Sequence, residues 1–331
     1  MTMSKRERLE ATFRGEVVDR VAVALWRHWP GDDQRAEDLA AAHLAFQKQY
    51  DFDFIKVTPA SSFCLEDWGV ETCYRGNNEG TREYLRRPVQ SPDDWGTLPV
   101  LDPQQGKLGQ QLRCLRLIAD GAGQVPFIQT IFNPLAQATR LVGERFIVHL
   151  RQHPRALHAG LETITQTTAR FVEAVRETGA AGIFFATQHA TCHQLSEAEY
   201  EEFGRPYDLR VLEAAQGQPF WFNLLHIHGH DIMFDLLSDG ASPYPVQVVN
   251  WHDRETFPSL AEALGRFPGA VCGGIGRWET MLRGDPATVR AQVADAITQT
   301  GGRRLIVGAG CVTLITSPTA NIRAAREAVE S

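Results

Sequence analysis

Apolar residues in this chain gather in short continuous runs rather than in strict alternation. The runs are Val21 to Trp26, Asp53 to Thr58, Val125 to Ile131, Gly182 to Thr187, Phe220 to Leu225, Val246 to Val249, Gly269 to Gly273 and Arg304 to Val307. Runs of this length are too short for helices and have the character of strands buried on both faces. Seven of the gaps between them are long enough for a helix. In one gap Leu157, Leu161, Ile164, Phe171 and Val175 recur at helical spacing and predict one buried face. Helices are also predicted over Ser4 to Phe13 and Asp33 to Gln49. Ser196 with Glu199 forms a capping-box pattern, and Asp285-Pro286 and Ser317-Pro318 pair a capping side chain with a first-turn proline. Eight strands alternating with helices predict a single-domain (β/α)8 barrel, a TIM barrel, spanning 1–331. The competing open doubly wound sheet lacks a G-x-G-x-x-G after its first strand.

Residues 60–105 break the alternation. Trp68, Trp95, Asn77-Asn78 and several glycines and prolines predict an irregular insertion after the second strand, with a short strand near Thr81 to Leu85. Such an insertion is expected to act as a lid over a site.

Composition adds mainly exclusions. The 331 residues are 43% hydrophobic and 22% charged, which is enough apolar material for one large core. A net charge of -7 gives no basic footprint for nucleic acid. No apolar run reaches the ~18 residues needed to span a membrane. Six cysteines without C-x-x-C spacing, and a charged start (MTMSKRERLE) without a signal-peptide core, point to a reducing cytoplasmic setting.

The polar residues that terminate the runs carry the chemistry, because barrel active sites lie at the C-terminal ends of strands. Those ends supply Arg27, His28, Lys56, Asn133, Gln188, His189, His226, His228, Asn250, His252 and Cys311. Seven of the eleven histidines lie at or just after these ends, His193 and His230 among them. The stretch PFWFNLLHIHGH, Pro219 to His230, is the densest: an aromatic run that stops in three histidines. Buried imidazoles need a metal, a substrate or a hydrogen-bond network. One cysteine with two histidines suits tetrahedral zinc and leaves a fourth position open. Cys311 alone is as readily an inert buried thiol. Cys272 lies inside an apolar run and is assigned to the core.

Several motifs resemble those of the uroporphyrinogen decarboxylase superfamily. They are Arg8-Leu9, Phe13-Arg14-Gly15-Glu16, Asp19-Arg20, Asn133-Pro134, Leu141-Val142-Gly143-Glu144, Leu195-Ser196-Glu197, Tyr200-Glu201-Glu202-Phe203, Pro206-Tyr207, Leu225-His226-Ile227-His228-Gly229 and Ser317-Pro318-Thr319-Ala320-Asn321-Ile322. The resemblance implies a single (β/α)8 barrel. It also implies one of two site types. The decarboxylases hold porphyrinogen carboxylates with arginines of an R-Q-A-G-R segment and carry a histidine in a late G-H-G turn. Here those positions read Trp26 to Gly31, with one arginine, and Gly308-Ala309-Gly310.

The cobamide-dependent methyltransferase branch carries H-x-C and a later cysteine on zinc. In this chain His226 and Cys311 match, and His228 replaces the first cysteine. The resemblance therefore implies zinc on His226, His228 and Cys311. His252, His189 and Asn250 would orient groups or exchange protons, and Arg27, His28, Lys56, Asn133 and Gln188 would hold a small-molecule substrate. A cobamide would arrive free or on a corrinoid protein, and a homodimer is expected by the same resemblance. The competing expectations are decarboxylation of a porphyrinogen or other polycarboxylate, and non-catalytic binding of a tetrapyrrole or small acid.

Overall fold

The computed structural model describes residues 2–238 and 243–330. Eight strands form one parallel sheet: β1 (Ala22–Val23), β2 (Ile55–Val57), β5 (Phe127–Phe132), β6 (Gly182–Thr187), β7 (Leu224–Ile227), β8 (Val248–Trp251), β9 (Ala270–Ile275) and β10 (Leu305–Ala309). Two further strands, β3 (Glu71–Cys73) and β4 (Glu83–Arg86), pair antiparallel in the insertion. The sheet order is β1-β10-β9-β8-β7-β6-β5-β2. From β2 to β10 each strand of the parallel series therefore neighbours its successor, and β1 lies beside β10. The sheet curls, because Trp26, just beyond β1, packs its ring on Phe54 at 6.2 Å and on Phe184 of β6 at 5.4 Å.

The expectation of a closed barrel is met only in part. No ladder joins β1 to β2; the eight strands form a curled half-barrel sheet. One residue spans the seam. Asp53 donates its backbone N–H to Val23 O at 2.9 Å, and its carboxylate accepts from Val23 N at 2.8 Å. That carboxylate is fully buried and ion-pairs with Arg8 and Arg20 at 2.7 Å each. A buried carboxylate needs such partners to remain ionised.

Two predicted strands shift. The first shortens to Ala22–Val23, although Ala24 N still donates to Val307 O at 3.0 Å. The aromatic run moves more: β7 begins at Leu224, not at Phe220. The N–H groups of Trp221 and Phe222 both donate to Ala181 O, and Asn223 N donates to Gln247 Oε1. Phe222 packs on Phe54 at 4.8 Å and on Phe13 at 5.0 Å. The run therefore plugs the N-terminal end of the sheet, and the strand that follows carries His226 within it. A side chain at Gly182 would not fit here, since a Cβ would stand 2.0 Å from Phe222 O.

The helices follow their caps. Pro154–Val175 buries Leu157, Leu161, Ile164, Phe171 and Val175 as the spacing predicts. Fully burying side chains of this size contributes about 1.5–3 kcal/mol each. Ser196 and Glu199 form the capping box of Glu197–Phe203, and Asp285 caps Pro286–Thr300. Ser317 does not cap the last helix, Thr319–Glu327, whose N-cap is Pro318. The insertion docks over the strand ends. Arg82 pairs with buried Asp33 at 2.7 Å, Ile315 N donates to Asn78 O at 2.9 Å, and Glu79 pairs with Arg277. No helix among the described residues is long and apolar enough to cross a membrane.

Candidate metal centre and cavity

His226 sits on β7 in register with Asn250 on β8. His228 follows β7, His252 follows β8, and Cys311 follows β10. Adjacent parallel strands end side by side, so residues far apart in sequence meet there. One ligand atom from each of these four residues lies within 4.8 Å of every other. His228 Nδ1 is 3.4 Å from His226 Nε2, 3.4 Å from His252 Nε2 and 3.8 Å from Cys311 Sγ. Zinc bonds of roughly 2.0–2.3 Å in a tetrahedron place donors about 3.3–3.8 Å apart. The three spacings from His228 Nδ1 fall in that range.

The outer contacts fix which nitrogen faces inward. Asn250 Nδ2 donates to Cys272 O at 2.8 Å and to Ala309 O at 3.1 Å. Its Oδ1 is therefore the acceptor for His226 Nδ1–H at 2.6 Å. That tautomer turns the Nε2 lone pair toward the other donors. Glu255 plays the same part for His252, 3.3 Å from its Nδ1. Converging lone pairs repel unless a cation lies between them.

Electrostatics point the same way. Burial opposes ionisation of Cys311, but the attraction of His226 and hydrogen bonds from His226, His228 and His252 outweigh it, and the thiol is held well below its ordinary value. Burial also opposes charge on His252, yet Cys311 and Glu255 hold its pKa up at about 9. For His226 burial dominates and the pKa falls. These neighbours favour the thiolate, the form that would bind a metal ion.

The sequence grouping of His226, His228 and Cys311 gains His252 here. With four protein donors no coordination position stays open by default. A nucleophile approaching an ion held by all four would have to displace one of these residues or add a fifth bond. His226, His228 and Cys311 face a cavity of about 130 Å³, whereas His252 and Asn250 stand behind it. Asn250 contacts His226 through Oδ1 and does not line the cavity.

The other predicted residues divide. His28, Lys56 and Gln188 line the cavity. Burial holds the pKa of His28 down at about 3 and that of Lys56 down at about 7. Arg27 does not reach the cavity: it donates to Ile315 O and lies 4.3 Å over the Trp29 ring. Asn133 is also elsewhere. Its Oδ1 caps Pro134–Val142 by accepting from Ala136 N, and its Nδ2 donates to Asp208. His189 is buried beside Phe146, outside the cavity lining, with Nδ1 unpartnered.

Two arginines went unrecognised in the sequence. Arg140 lies two turns into the helix after β5, donating to Ser61 O at 2.9 Å and Gln188 Oε1 at 2.6 Å. Arg277 follows β9 directly, but the glycines at 273, 274 and 276 disguise the strand end. Against three cations, Lys56, Arg140 and Arg277, Glu79 is the one carboxylate among the described lining residues.

Comparison with known proteins agrees with this architecture. Residues 4–331 match the uroporphyrinogen decarboxylase (URO-D) family model. A uroporphyrinogen decarboxylase of Prochlorococcus marinus (strain MIT 9211) is 23% identical over 256 residues, covering 75% of this chain and 70% of that protein. One of Rhodococcus opacus (strain B4) is 31% identical over 139 residues, covering 40% of this chain and 38% of its own length. The match thus spans about two fifths of the Rhodococcus relative. Among solved structures, a methyltransferase from Methanosarcina mazei superposes with a TM-score of 0.84 at 18% identity, covering 99% of this chain and 98% of that one. A B12-independent methionine synthase from Shewanella sp. W3-18-1 gives 0.56 at 12% identity, covering 89% and 85%. The structural likenesses concern the fold, and the family match covers nearly the whole sequence: this chain belongs to the uroporphyrinogen decarboxylase (URO-D) family.

Proposed function

We propose that this protein is a zinc-dependent methyltransferase acting on a small anionic nucleophile. The observation that carries the reading is the convergence of His226, His228, His252 and Cys311 on one point at the strand ends. Those four side chains would hold the ion. Zinc bound there would supply a Lewis-acid centre that lowers the pKa of a coordinated thiol or oxygen nucleophile. Asn250 and Glu255 keep the two Nε2 atoms aimed inward. Arg140 and Arg277 draw the anionic end of the substrate into the cavity beside Lys56, and Phe132, Phe184 and Trp26 exclude water around it. The methyl donor in this reading is a methylcobamide, free or carried by a corrinoid protein. The Methanosarcina neighbour, described as a methyltransferase, supports the reading by fold.

Size bears on the alternatives. A cavity of ~150 Å³ accommodates one benzene. At about 130 Å³ the cavity suits an acid of a few heavy atoms better than a tetrapyrrole. Decarboxylation of a small polycarboxylate is the second reading, favoured by the cationic wall and the family. One experiment separates them. Zinc-loaded protein is mixed with methylcobalamin and a panel of small thiol, hydroxy and carboxylic acids, with and without chelator. Metal-dependent loss of methylcobalamin absorbance with a methylated acceptor is expected. Chelator-insensitive release of carbon dioxide without methyl transfer would replace the first reading with the second.

A further inference from the structure

Only four of the 33 lysines and arginines in this chain are lysine: Lys5, Lys48, Lys56 and Lys107. Lys56 alone of the four is buried, at 5% exposure, and it lines the cavity. A chain that otherwise uses arginine so heavily places its single buried lysine beside two cavity arginines. Arginine would serve better if the position only held an anion, since its fork binds carboxylate bidentately and keeps its charge. What lysine adds is an amine that can lose its proton.

The surroundings favour that loss. Lys56 Nζ reaches Thr58 Oγ1 at 3.2 Å and lies 4.5 Å over the Phe184 ring, with no carboxylate in hydrogen-bonding range among the described residues. An unpaired ammonium in such a place is costly. Burial accordingly holds its pKa down at about 7, although the nearby Cys311 sulfur pulls it upward. An ordinary lysine near 10.4 is deprotonated to roughly one part in a few thousand at pH 7. The same cavity offers a carboxylate anchor. Arg277 is 3% exposed, and its Nε is buried without a partner although Nη2 pairs with Glu79.

We infer that Lys56 is a nucleophilic amine that condenses with a small oxo acid, an aldehyde or ketone bearing a carboxylate, anchored by Arg277 and Arg140. The Nζ lone pair forms a bond to the carbonyl carbon. The carbonyl oxygen leaves as water with both amine protons, and an imine remains. The step forms no bond to a metal, but it shares the cavity and both arginines with the methyltransferase reading, and labelling of Lys56 is read separately from methyl transfer.

The test is reductive trapping. Protein as purified is incubated at pH 7 with glyoxylate and cyanoborohydride, digested and mapped by mass spectrometry. Lys56 should gain one reduced adduct at least about tenfold faster than Lys48 or Lys107. Lys56→Arg should lose that adduct while labelling of Lys48 and Lys107 stays unchanged. Arg277→Met should slow labelling of Lys56 by glyoxylate about tenfold, yet leave its labelling by the uncharged acetaldehyde within about twofold. Labelling of Lys56 in the wild-type protein no faster than that of Lys48 and Lys107 would overturn the inference, whatever the variants do. Equal slowing of both aldehydes in Arg277→Met would overturn the carboxylate anchor.

Discussion

Asn250 has its amide orientation fixed from behind, because two backbone carbonyls take its Nδ2 and leave only Oδ1 for His226. Removing that acceptor frees the imidazole to adopt the other tautomer and to rotate. Outer partners of this kind are worth about 10–100-fold in metal affinity. Asn250→Ala should therefore weaken zinc binding by about that factor in a chelator competition, with the fold retained. Unchanged affinity would show that His226 needs no orienting partner. Glu255→Gln should give a similar loss, since a neutral amide is a poorer partner than a carboxylate for His252 Nδ1. A rise in affinity would contradict the role given to Glu255.

Elements explain what was legible in the sequence and what was not. Strand ends are readable because buried runs stop in polar residues, and parallel strands bring those residues together. That logic located His226, His228, His252, Cys311, Lys56, His28 and Gln188. It missed Arg140, which belongs to a helix two turns beyond its strand. It assigned Asn133 to substrate, although Asn133-Pro134 is equally a cap followed by a first-turn proline, and capping is what the structure shows. Arg27 failed differently: its guanidinium turns back onto Trp29 and Phe46, a direction no spacing reveals. Phe220 to Asn223 looked like strand because aromatic runs favour pleated surfaces, but tertiary hydrogen bonds to Ala181 and Gln247 claim that backbone. The seam between β1 and β2 was invisible, since nothing in DFDF marks Asp53 as the residue that spans it. Asp53→Ala leaves Arg20 without its carboxylate partner and should cost about 3–5 kcal/mol in urea unfolding. A loss below about 1 kcal/mol would mean that the seam is held by packing alone.

The whole molecule carries an acid-sensitive charge balance. Burial holds His28, His43 and His189 at about 3, far below 6.5. A depressed histidine favours the folded state above 6.5, and that advantage is lost as pH falls from 6.5 toward 3. Asp208 and Asp253 act oppositely, because burial raises them to about 7 and about 6. Between their unfolded values near 3.8 and these, the folded state keeps the extra proton, so acidification favours folding. Glu162 and Glu199, held at about 2 by Arg210 and Arg151, add to the histidines' side, so the unfolded chain takes up more protons than the folded one between pH 6 and 4 and stability should fall as pH drops there. Asp208→Asn removes one opposing site and should steepen that slope. A shallower slope in the variant would refute the assignment of a raised pKa to Asp208.

Metal occupancy acts at the same scale, since an ion bound only by the folded chain stabilises it by mass action. X-ray absorption at the zinc edge on the protein as purified, with elemental analysis of the same sample, reaches the donor set directly. We expect one zinc per chain with three nitrogen neighbours and one sulfur, the sulfur lost in Cys311→Ser. Less than about a tenth of an equivalent of zinc after growth with added zinc, or a shell without sulfur, would contradict a site built from His226, His228, His252 and Cys311.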